Sequence, residues 1–376
     1  MSVFPMDLSH VTGGIETARG LPNAFYTDPA VFELEKTQVW ARNWVAMAFT
    51  TDVQENGYAK PLTFLGQPLM LVRDAEGTLR VFQNICRHRG MILVAEEGPI
   101  KRAIRCPYHA WSYEMSGALR TTPHVGGPGN NRHDCINRAS LGLIEVRSHQ
   151  WMGIVFVNLD GQAPAFEDYA GDVLDRYAEF DKPLYRCGDE GTFEMSVRGN
   201  WKLAIENGAE SYHLPWVHPG LNSYSRLEDH YHIDTAGPTC GQGTTVYDPA
   251  LKFPKFDGLS EKWAKGAEYP MLFPNIMMGF QNDHTFAFIV IPETQERSTE
   301  RVQLFYASDE VSGDDWREMR EKNAVQWRGV FEEDIFVVEG MQRGRHASGF
   351  DGGKFSPVMD NPTHDFHAWV ARQMSA

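Results

Sequence analysis

Hydrophobic and polar positions divide the chain into three stretches of different character. In residues 22–42, apolar side chains recur at roughly helical spacing, and Asp28 followed by Pro29 predicts a helix start. The following stretch, 43–163, changes to short strands. There "PLMLVRDAEGTLRVFQN" predicts a strand, a turn and a second strand, and "WMGIVFVNLD" predicts another. A helical N-terminal segment is therefore expected to precede a small β domain.

The third stretch, 164–376, mixes both periodicities. "FEDYAGDVLDRYAEF" predicts a helix, "TFEMSVRGNWKLAIEN" a strand followed by a helix, and "HTFAFIVIPETQERSTERVQLFYAS" a hairpin of two long strands. A long helix is expected to begin with Ser312 and Asp315 in the positions of a capping box. The patterns together predict an α+β fold. A small antiparallel β domain precedes a larger domain whose antiparallel sheet is flanked by helices, and residues 1–42 pack on the larger domain.

Composition and charge narrow the classes of function. The 376 residues are 42% hydrophobic and 23% charged, and the net charge of -15 argues against nucleic acids and anionic membranes as partners. No stretch approaches the about 18 apolar residues of a membrane span, and no signal peptide is recognised at the N-terminus. The 5 cysteines are odd in number and scattered, so we expect free thiols and a cytoplasmic location.

Two pairs of potential metal ligands frame a loop of the β domain. Cys86 and His88 are separated by one residue, and Cys106 and His109 by two. Structural zinc sites usually pair two cysteines in one knuckle, whereas each knuckle here supplies one cysteine and one histidine. This arrangement suits a two-iron cluster in which one iron takes two thiolates and the other two imidazoles. On ligand types alone, a Cys₂His₂ zinc site stays open as an alternative.

The spacing Cys-x-His, 17 intervening residues, then Cys-x-x-His resembles the Rieske [2Fe–2S] motif. The surrounding "CPYHAWSY" strengthens the resemblance, although Ala110 stands where the family often has glycine. Basic residues also cluster near the motif of this acidic chain: Arg87, Arg89, Lys101, Arg102 and Arg105. They are either ordinary solvated loop charges or a docking patch for an acidic electron donor.

A second set of candidate ligands lies in "ENGAESYHLPWVHPG". His213 and His218 are five residues apart and share no helix face unless the helix is interrupted, for which Pro215 and Pro219 give a reason. We expect His213 to end a helical turn and His218 to return to the same point from an irregular segment. Glu210, three residues before His213, is expected on the same helical face. Non-haem iron oxygenases bind Fe(II) through two histidines and one carboxylate.

The carboxylate has to come from elsewhere, and the long helix offers Glu332, Glu333 and Asp334, although acidic helix residues are usually solvated. Together, "NWKLAIEN…ESYHLPWVHP" and "EEDIFVVEGMQRG" resemble the catalytic domain of Rieske non-haem iron oxygenase α-subunits, and the resemblance covers nearly the whole chain. It implies a Rieske domain at 43–163, a catalytic domain at 164–376, a [2Fe–2S] cluster and a mononuclear Fe(II). The implied ligands are Cys86, His88, Cys106 and His109 for the cluster and His213, His218 and Asp334 for the iron.

The resemblance also implies a role for Glu210. The family has an acidic residue here that hydrogen-bonds a cluster-ligating histidine of the neighbouring subunit, and ring-hydroxylating dioxygenases typically have Asp. Asn207 and Glu206 are candidates to support this bridge, with a purely structural role equally open. The family further implies O₂ and a small-molecule substrate, a head-to-tail homotrimer, and an NAD(P)H-dependent flavin or ferredoxin-type reductase as electron donor.

The glutamate at position 210 and the segment "GLPNAFYTDPAVFELEKTQVWARNWV" look most like the branch that oxidises quaternary ammonium compounds, such as choline, glycine betaine and carnitine. A permanent cation without hydrogen-bond donors is best held by aromatic faces. The candidate pocket residues, for which ordinary core packing is the alternative, are Trp216, Tyr224, Phe273, Phe280 and Phe286. His230 and His232 are expected on the surface.

Three functions stay open at this stage. The first is a monooxygenase that N-demethylates or hydroxylates a quaternary ammonium compound. The second is a Rieske oxygenase that hydroxylates an aromatic ring or demethylates an aryl ether, and the sequence does not separate monooxygenation from dioxygenation. The third is a protein without catalysis, either an electron carrier or a zinc-stabilised protein. Two metal-binding constellations in one chain favour the oxygenases.

Overall fold

The computed structural model describes residues 7–234 and 236–375. The chain forms two compact units, of which one combines the segment up to Ala46 with everything from Gln162 and the other is Met47–Gly161. The limits of the second unit lie close to the boundaries at 43 and 163 that the sequence suggests. The helical N-terminal segment therefore belongs to the same unit as the C-terminal part of the chain.

The N-terminal segment contains three short helices: α1 Ser9–Thr12, α2 Ala24–Thr27 and α3 Pro29–Glu35, the last extended by a π-helical turn at Lys36–Trp40. The predicted start of α3 is confirmed, because the Asp28 side chain accepts a hydrogen bond from Ala30 N at 2.8 Å. Glu35 at the end of α3 is fully buried. Its carboxylate accepts hydrogen bonds from Lys202 Nζ at 2.6 Å and Trp201 Nε1 at 2.9 Å, which ties α3 to the C-terminal part of the same unit.

Short strands then build three small sheets. The strands are β1 Val45–Phe49, β2 Tyr58–Phe64, β3 Gln67–Arg73, β4 Leu79–Gln83, β5 Gly98–Pro99, β6 Ile104–Arg105, β7 Ser112–Tyr113, β8 Leu119–Thr121, β9 Arg147–Trp151 and β10 Ile154–Asn158. Their orders are β1-β10-β9, β4-β3-β2-β5 and β6-β7-β8, and the second and third sheets are antiparallel throughout. The predicted turn between β3 and β4 contains Gly77 at φ 90, a conformation that favours glycine.

The larger unit is organised around a seven-stranded antiparallel sheet of order β11-β17-β16-β15-β14-β13-β12. Its strands are β11 Thr192–Val197, β12 His230–His232, β13 Thr239–Thr244, β14 Ala267–Leu272, β15 Ile276–Phe280, β16 His284–Thr294 and β17 Arg297–Tyr306. The accompanying helices are α4 Phe166–Tyr169, α5 Gly171–Arg176, α6 Trp201–Ala209, α7 Leu214–Val217, α8 Pro219–Asn222, α9 Arg317–Gly344 and α10 Asn361–Ser375. The predicted α+β fold and the β16–β17 hairpin are confirmed.

Two local predictions are wrong. The capping box does not form, because Gly313 is extended (ψ 156) and α9 begins only at Arg317. Ser312 Oγ instead donates to the Asp309 carbonyl at 2.5 Å. The single helix expected after residue 164 breaks at Ala170 (φ -102, ψ 8), which separates α4 from α5. In the described part of the chain, no helix combines the length and the apolarity needed to cross a bilayer.

Candidate functional site

The four cluster-ligand candidates lie on two loops of matching geometry in the smaller unit. In the first loop Gly90 N donates to Cys86 O at 2.9 Å, and in the second Ala110 N donates to Cys106 O at 3.1 Å. Both turns need a left-handed residue at this point, Gly90 at φ 72 and Ala110 at φ 59. This requirement gives a physical reason for the glycine that the family often has at the position of Ala110.

The thiols are buried and the imidazoles face outward. Cys86 and Cys106 are each 2% exposed, whereas His88 is exposed and His109 half-buried, with 4.7 Å between the two ring centroids. His109 Nδ1 is buried without a hydrogen-bond partner among the described residues, as expected of an atom reserved for a metal. Two cysteine thiols and two histidine imidazoles on these loops match the donor set of a Rieske cluster.

The geometry speaks against the zinc alternative. A tetrahedral zinc ion needs all four donors within about 2.0–2.3 Å of one point. Among the described residues, the group of three or more side chains able to converge on one ion is His213, His218 and Asp334, and the Cys/His set is not such a group. Two loops that each supply one thiolate and one imidazole fit a two-iron cluster, in which one iron takes both thiolates and the other both imidazoles.

Tyr113 adds a contact to this site that the sequence did not single out. Its hydroxyl lies 3.3 Å from Cys86 Sγ and accepts a hydrogen bond from Arg87 N at 3.0 Å. Burial, followed by the contact with Cys86, raises the pKa of Tyr113, so the hydroxyl stays protonated and donates to the sulfur. The tyrosine is part of the quoted "CPYHAWSY", which begins at Cys106, so its presence in the motif was the available signal although its contact is with Cys86 of the other loop.

The second site is built where α6 ends. The helix stops at Ala209, and Glu210 is extended (φ -121, ψ 166), so the expected shared helical face of Glu210 and His213 does not exist. His213 precedes the four-residue helix α7 and begins a turn rather than ending one. His218 follows α7 in a non-helical conformation (φ -119, ψ 59), as the sequence suggested. The short helix thus returns the second histidine toward the first.

Asp334 of α9 meets these histidines. Its Oδ1 lies 2.9 Å from His218 Nε2 and 3.8 Å from His213 Nε2, and the three potential ligand atoms lie within 4.8 Å of one another. The buried Oδ1 makes no hydrogen bond with any described residue. An unpartnered carboxylate oxygen beside two imidazole nitrogens is the arrangement that a divalent cation satisfies. Two histidines and one carboxylate are the donor set of non-haem iron oxygenases.

A glutamate carboxylate contacts Nδ1 of each of these histidines, the ring nitrogen that does not face Asp334. His213 Nδ1 lies 2.6 Å from Glu210 Oε1, and His218 Nδ1 lies 2.8 Å from Glu333 Oε2. Such bonds place the proton on Nδ1 and leave Nε2 free for the metal. Burial works against protonation of His218, but Asp334 and Glu333 outweigh it and raise its pKa. The role of Glu333 was not predicted, although it stood among the three acidic candidates.

A cavity of about 460 Å³, including its open mouth, adjoins the three ligands. It is lined by Gly208, Glu210, His213, Leu214, His218, Leu221, Ser225, His230, Gln242, Tyr269, Met277, Phe286, Trp327, Val330, Phe331 and Asp334. Of the five aromatic residues proposed from sequence, Phe286 is in this lining. The buried residue Asn207 of α6 is not, nor is Glu206, which instead contacts Arg345 at 3.3 Å and His367 at 3.1 Å.

The other four proposed pocket residues lie elsewhere. Trp216 is 71% exposed, and the hydroxyl of Tyr224 accepts a hydrogen bond from Gln326 Nε2 at 2.7 Å. Phe273 packs against aromatic residues of α10, with 5.2 Å to the centroids of both Phe366 and Trp369. Phe280 stacks on Tyr177 at 4.0 Å. Aromatic character alone was therefore a poor guide to the pocket lining.

One wall of the cavity is aromatic. Its rings are those of Tyr269, Phe286, Trp327 and Phe331, with centroid distances of 4.5 Å for Phe286–Trp327, 5.3 Å for Phe286–Phe331 and 6.1 Å for Tyr269–Phe286. Trp327, Phe331 and Asp334 recur at helical spacing along α9, a signal that was readable in the sequence. The indole Nε1–H of Trp327 donates to His284 Nε2 at 2.9 Å.

A second wall is polar and contains His230, contrary to its expected place on the surface. Because a carbonyl oxygen only accepts, His230 Nδ1–H donates to Gln242 Oε1 at 2.5 Å. The other ring nitrogen, Nε2, then accepts from Ser225 Oγ at 3.0 Å. Burial is the main cause that lowers the pKa of His230, which favours the neutral ring. The strand pairing His230↔Thr244 next to Gln242 was not readable from the sequence.

Comparisons with known proteins agree with this geometry. Residues 184–376 match the model of the ring hydroxylating alpha subunit (catalytic domain), and residues 43–136 match the Rieske [2Fe-2S] domain. The chain is 26% identical over 350 residues to the carnitine monooxygenase oxygenase subunit of Acinetobacter pittii, covering 90% of this chain and 88% of that protein. It is 26% identical over 391 residues to the glycine betaine monooxygenase oxygenase subunit of Chromohalobacter salexigens, covering 94% and 85%.

A solved structure shows the same fold. It is that of a quaternary ammonium Rieske monooxygenase described for carnitine oxidation and inter-subunit electron transfer, with a TM-score of 0.79, 23% identity, and coverage of 99% of this chain and 100% of that one. Since the catalytic-domain match alone spans half of the chain, the family is established. The chain belongs to the ring hydroxylating alpha subunit family of Rieske oxygenases, enzymes whose cofactors are a [2Fe–2S] cluster and a mononuclear iron.

Proposed function

We propose that this chain is the oxygenase component of a monooxygenase that oxidises a C–H bond beside a quaternary nitrogen, by N-demethylation or hydroxylation. The observation that carries the proposal is the aromatic wall formed by Tyr269, Phe286, Trp327 and Phe331 next to the His₂–Asp set. A permanent cation with no hydrogen-bond donor is attracted to aromatic faces. The relatives named for carnitine and glycine betaine support the same class of substrate.

We assign the residues as follows. His213, His218 and Asp334 would hold the iron, and Cys86, His88, Cys106 and His109 the cluster. The iron, when bound, supplies O₂ activation with electrons delivered by the cluster. The protein's own part is to position an N-methyl or neighbouring carbon beside the iron ligands and to exclude water with the aromatic wall. A hydroxylated N-methyl group is a carbinolamine, which collapses to formaldehyde and the tertiary amine without further catalysis.

Electron delivery gives Glu210 a second task. One carboxylate oxygen accepts from His213 Nδ1 and the other from the backbone N–H groups of Tyr212 and His213, the latter at 3.3 Å. We propose that this carboxylate also meets a cluster-ligating histidine of the next subunit in a head-to-tail homotrimer. Glu210→Gln should then keep both metals bound but slow single-turnover reoxidation of the cluster.

An external reductase would complete the system, and we propose one that takes electrons from NAD(P)H. Four basic side chains near the cluster loops are exposed, and they suit an acidic donor protein: Arg89, Lys101, Arg102 and Arg105. Arg87 is different, because its guanidinium donates to the Gly142 carbonyl at 2.7 Å. All five cysteines are free, which fits the cytoplasmic location that we propose.

The test is turnover with a surrogate reductase and NADH on choline, glycine betaine, carnitine and related compounds. We expect NADH consumption coupled to formaldehyde or aldehyde from at least one of them. Asp334→Ala, which removes an iron ligand, is the matched inactive control. Product formed only from an aromatic acid or an aryl ether, with uncoupled NADH oxidation across the quaternary ammonium panel, would overturn the substrate class and leave the oxygenase.

A further inference from the structure

The permanently charged side chains that line the cavity all carry negative charge. Its lining contains two carboxylates, those of Glu210 and Asp334, and neither lysine nor arginine occurs among the lining residues that the structure describes. Glu333 adds a third carboxylate directly behind His218. The bound iron would offset part of this negative charge at the ligand end. The rest of the lining offers no permanent positive charge to a second ionic group of a substrate.

The polar wall contains a chain of hydrogen bonds in which Ser225 donates to His230 and His230 donates to Gln242. Ser225 Oγ–H donates to His230 Nε2 at 3.0 Å, and His230 Nδ1–H donates to Gln242 Oε1 at 2.5 Å. Both nitrogens of the imidazole are thereby occupied by neutral partners. The Gln242 amide N–H₂ group, for which the described residues show no partner, remains as the donor of this wall.

These observations predict that the free energy of binding depends on which chemical group stands at the end of the substrate opposite its quaternary nitrogen. A carboxylate that leaves water needs a cationic partner or several good donors, and one placed in this cavity would also feel Glu210 and Asp334. A hydroxyl, amide or ester oxygen needs only one donor to replace its lost bond with water. The quaternary nitrogen at the other end is favoured both by the aromatic wall and by the surrounding negative charge.

We propose that the cavity selects quaternary ammonium compounds whose other end is an uncharged oxygen acceptor over those ending in a carboxylate, with Gln242 Nε2–H as the donor to that oxygen. This selection rests on the proposed oxidation of quaternary ammonium compounds and narrows it. Ser225 and His230 are positioning residues, because Ser225 holds His230 and His230 holds the Gln242 amide.

The experiment uses the holoenzyme and three trimethylammonium compounds of equal chain length that end in a primary alcohol, a primary amide or a carboxylate. Product formation gives kcat/KM, and anaerobic calorimetry gives Kd without turnover. We expect both measures to favour the alcohol and the amide over the carboxylate by at least about 10-fold, or roughly 1.4 kcal/mol. Equal values, or a preference for the carboxylate, would overturn the selection.

Substitutions at Gln242 test the assigned donor. Gln242→Leu should weaken binding of the alcohol and the amide by about 10-fold, the scale of one lost hydrogen bond, and leave tetramethylammonium binding unchanged. Gln242→Lys should reverse the preference toward the carboxylate. Gln326→Leu is the matched control, because Gln326 hydrogen-bonds Tyr224 outside the cavity lining. A Gln242→Leu variant that binds all three compounds like the unmodified protein would contradict the role of this amide.

Different results would overturn the proposed function and the proposed selection among quaternary ammonium compounds. If no trimethylammonium compound is oxidised while an aromatic compound is, the proposed function itself is wrong. If trimethylammonium compounds are oxidised and the carboxylate is the preferred one, the function stands and the selection is wrong. The ratio measured with the unmodified protein decides this point even where a variant fails to fold.

Discussion

At the scale of single residues, the iron site depends on pairs of contacts made by each histidine. His213 and His218 direct Nε2 toward Asp334 and Nδ1 toward Glu210 and Glu333, respectively. Neighbouring carboxylates on α9 therefore have different tasks, since Asp334 faces the ligand atoms and Glu333 orients a ligand. Substitutions of Asp334 and of Glu333 should therefore have different effects.

Asp334→Ala should lose the mononuclear iron, because one of the three proposed protein ligands is removed. Glu333→Ala should keep the ligand set and lower iron affinity or activity by about 10–100-fold, the usual effect of losing a partner behind a metal-bound histidine. Elemental analysis should give three irons per chain for the unmodified protein and two for Asp334→Ala, with the cluster spectrum intact in both. If Glu333→Ala loses the iron and Asp334→Ala retains it, the assignment of the third ligand is wrong.

Tyr113 should tune the cluster. A hydrogen bond to a cluster sulfur stabilises the reduced form, so Tyr113→Phe is expected to lower the reduction potential, by an amount on the order of tens of millivolts. A spectroelectrochemical titration of the purified protein measures this shift. Tyr108→Phe is a suitable control, because the exposed Tyr108 hydroxyl accepts from Arg89 at 3.3 Å and does not contact Cys86. An unchanged potential in Tyr113→Phe would show that the 3.3 Å contact has no electronic effect.

The candidate ligands were readable because their spacing is short and specific, while their supporting residues were not. Tyr113, Glu333 and Gln242 reach the sites through side-chain directions that only the folded backbone sets. The sequence predicts a surface position for His230, although it lines the cavity, because a histidine pair in a short strand has no distinguishing pattern. Sequence motifs thus pointed to the candidate metal ligands better than to the residues that shape the cavity.

At the scale of elements, helix α9 joins the two parts of the active site. Trp327 and Phe331 contribute to the aromatic wall, and Asp334 two turns after Trp327 contributes to the metal site. The long helix was predicted, but its start was expected too early, at Ser312, where two 3₁₀ turns at Asp309–Ser312 and Asp314–Trp316 precede the helix. Local backbone geometry at Gly313 overrode a capping pattern that looked favourable.

The buried pair between α3 and α6 offers a test of how the N-terminal segment is held. Glu35 and Lys202 side chains are both 0% exposed and 2.6 Å apart, and burial is the main cause that lowers the pKa of Lys202. Glu35→Leu should destabilise the fold by about 3–5 kcal/mol, because it leaves an uncompensated buried ammonium. Urea unfolding measures the loss.

The double variant Glu35→Leu with Lys202→Met tests whether the unpaired ammonium causes the loss of stability. It removes both charges, so it should recover a large part of the lost stability, although Trp201 Nε1 still lacks its acceptor. A double variant no more stable than Glu35→Leu would show that the ammonium is not the source of the cost. The fold would then depend on the shape of Glu35 rather than on its charge.

At the scale of the whole molecule, the order of elements along the chain was predictable from the sequence, whereas strand pairing between distant segments was not. The order of helical segment, β domain and α+β domain was visible in the periodicities, as was the antiparallel hairpin β16–β17. The seven-stranded order was not, because the edge strand β11 (Thr192–Val197) pairs with β17 (Arg297–Tyr306), which lies far along the chain. Pairing over such distances depends on tertiary packing rather than on local pattern.

Glu268 connects several elements of the larger unit and should make its stability depend on pH. Burial works against ionisation of Glu268, but hydrogen bonds from Arg176, Tyr231, Tyr177 and Lys262 outweigh it and lower its pKa from 4.5 to about 2. A lowered pKa contributes stability above pH 4.5, which is lost as the pH falls toward 2. At about 1.36 kcal/mol per pKa unit, the full contribution is about 3 kcal/mol.

Glu268→Gln should therefore cost about 3 kcal/mol at pH 7, and its deficit against the unmodified protein should shrink below pH 4.5. Urea unfolding at pH 7 and at pH 3.5 measures this change. Glu261→Gln, at an exposed position of the same region, controls for the general effect of removing a negative charge. A deficit that is the same at both pH values would contradict the lowered pKa of Glu268.

The central claim is that the aromatic wall beside the His₂–Asp set recognises a quaternary ammonium group. It is tested most directly by anaerobic binding of choline and of its uncharged carbon isostere, 3,3-dimethylbutan-1-ol, to the holoenzyme. The two ligands have the same shape, and a desolvated cation–π contact is worth about 2 kcal/mol, so choline should bind about 30-fold more tightly. Equal or tighter binding of the uncharged isostere would contradict the account.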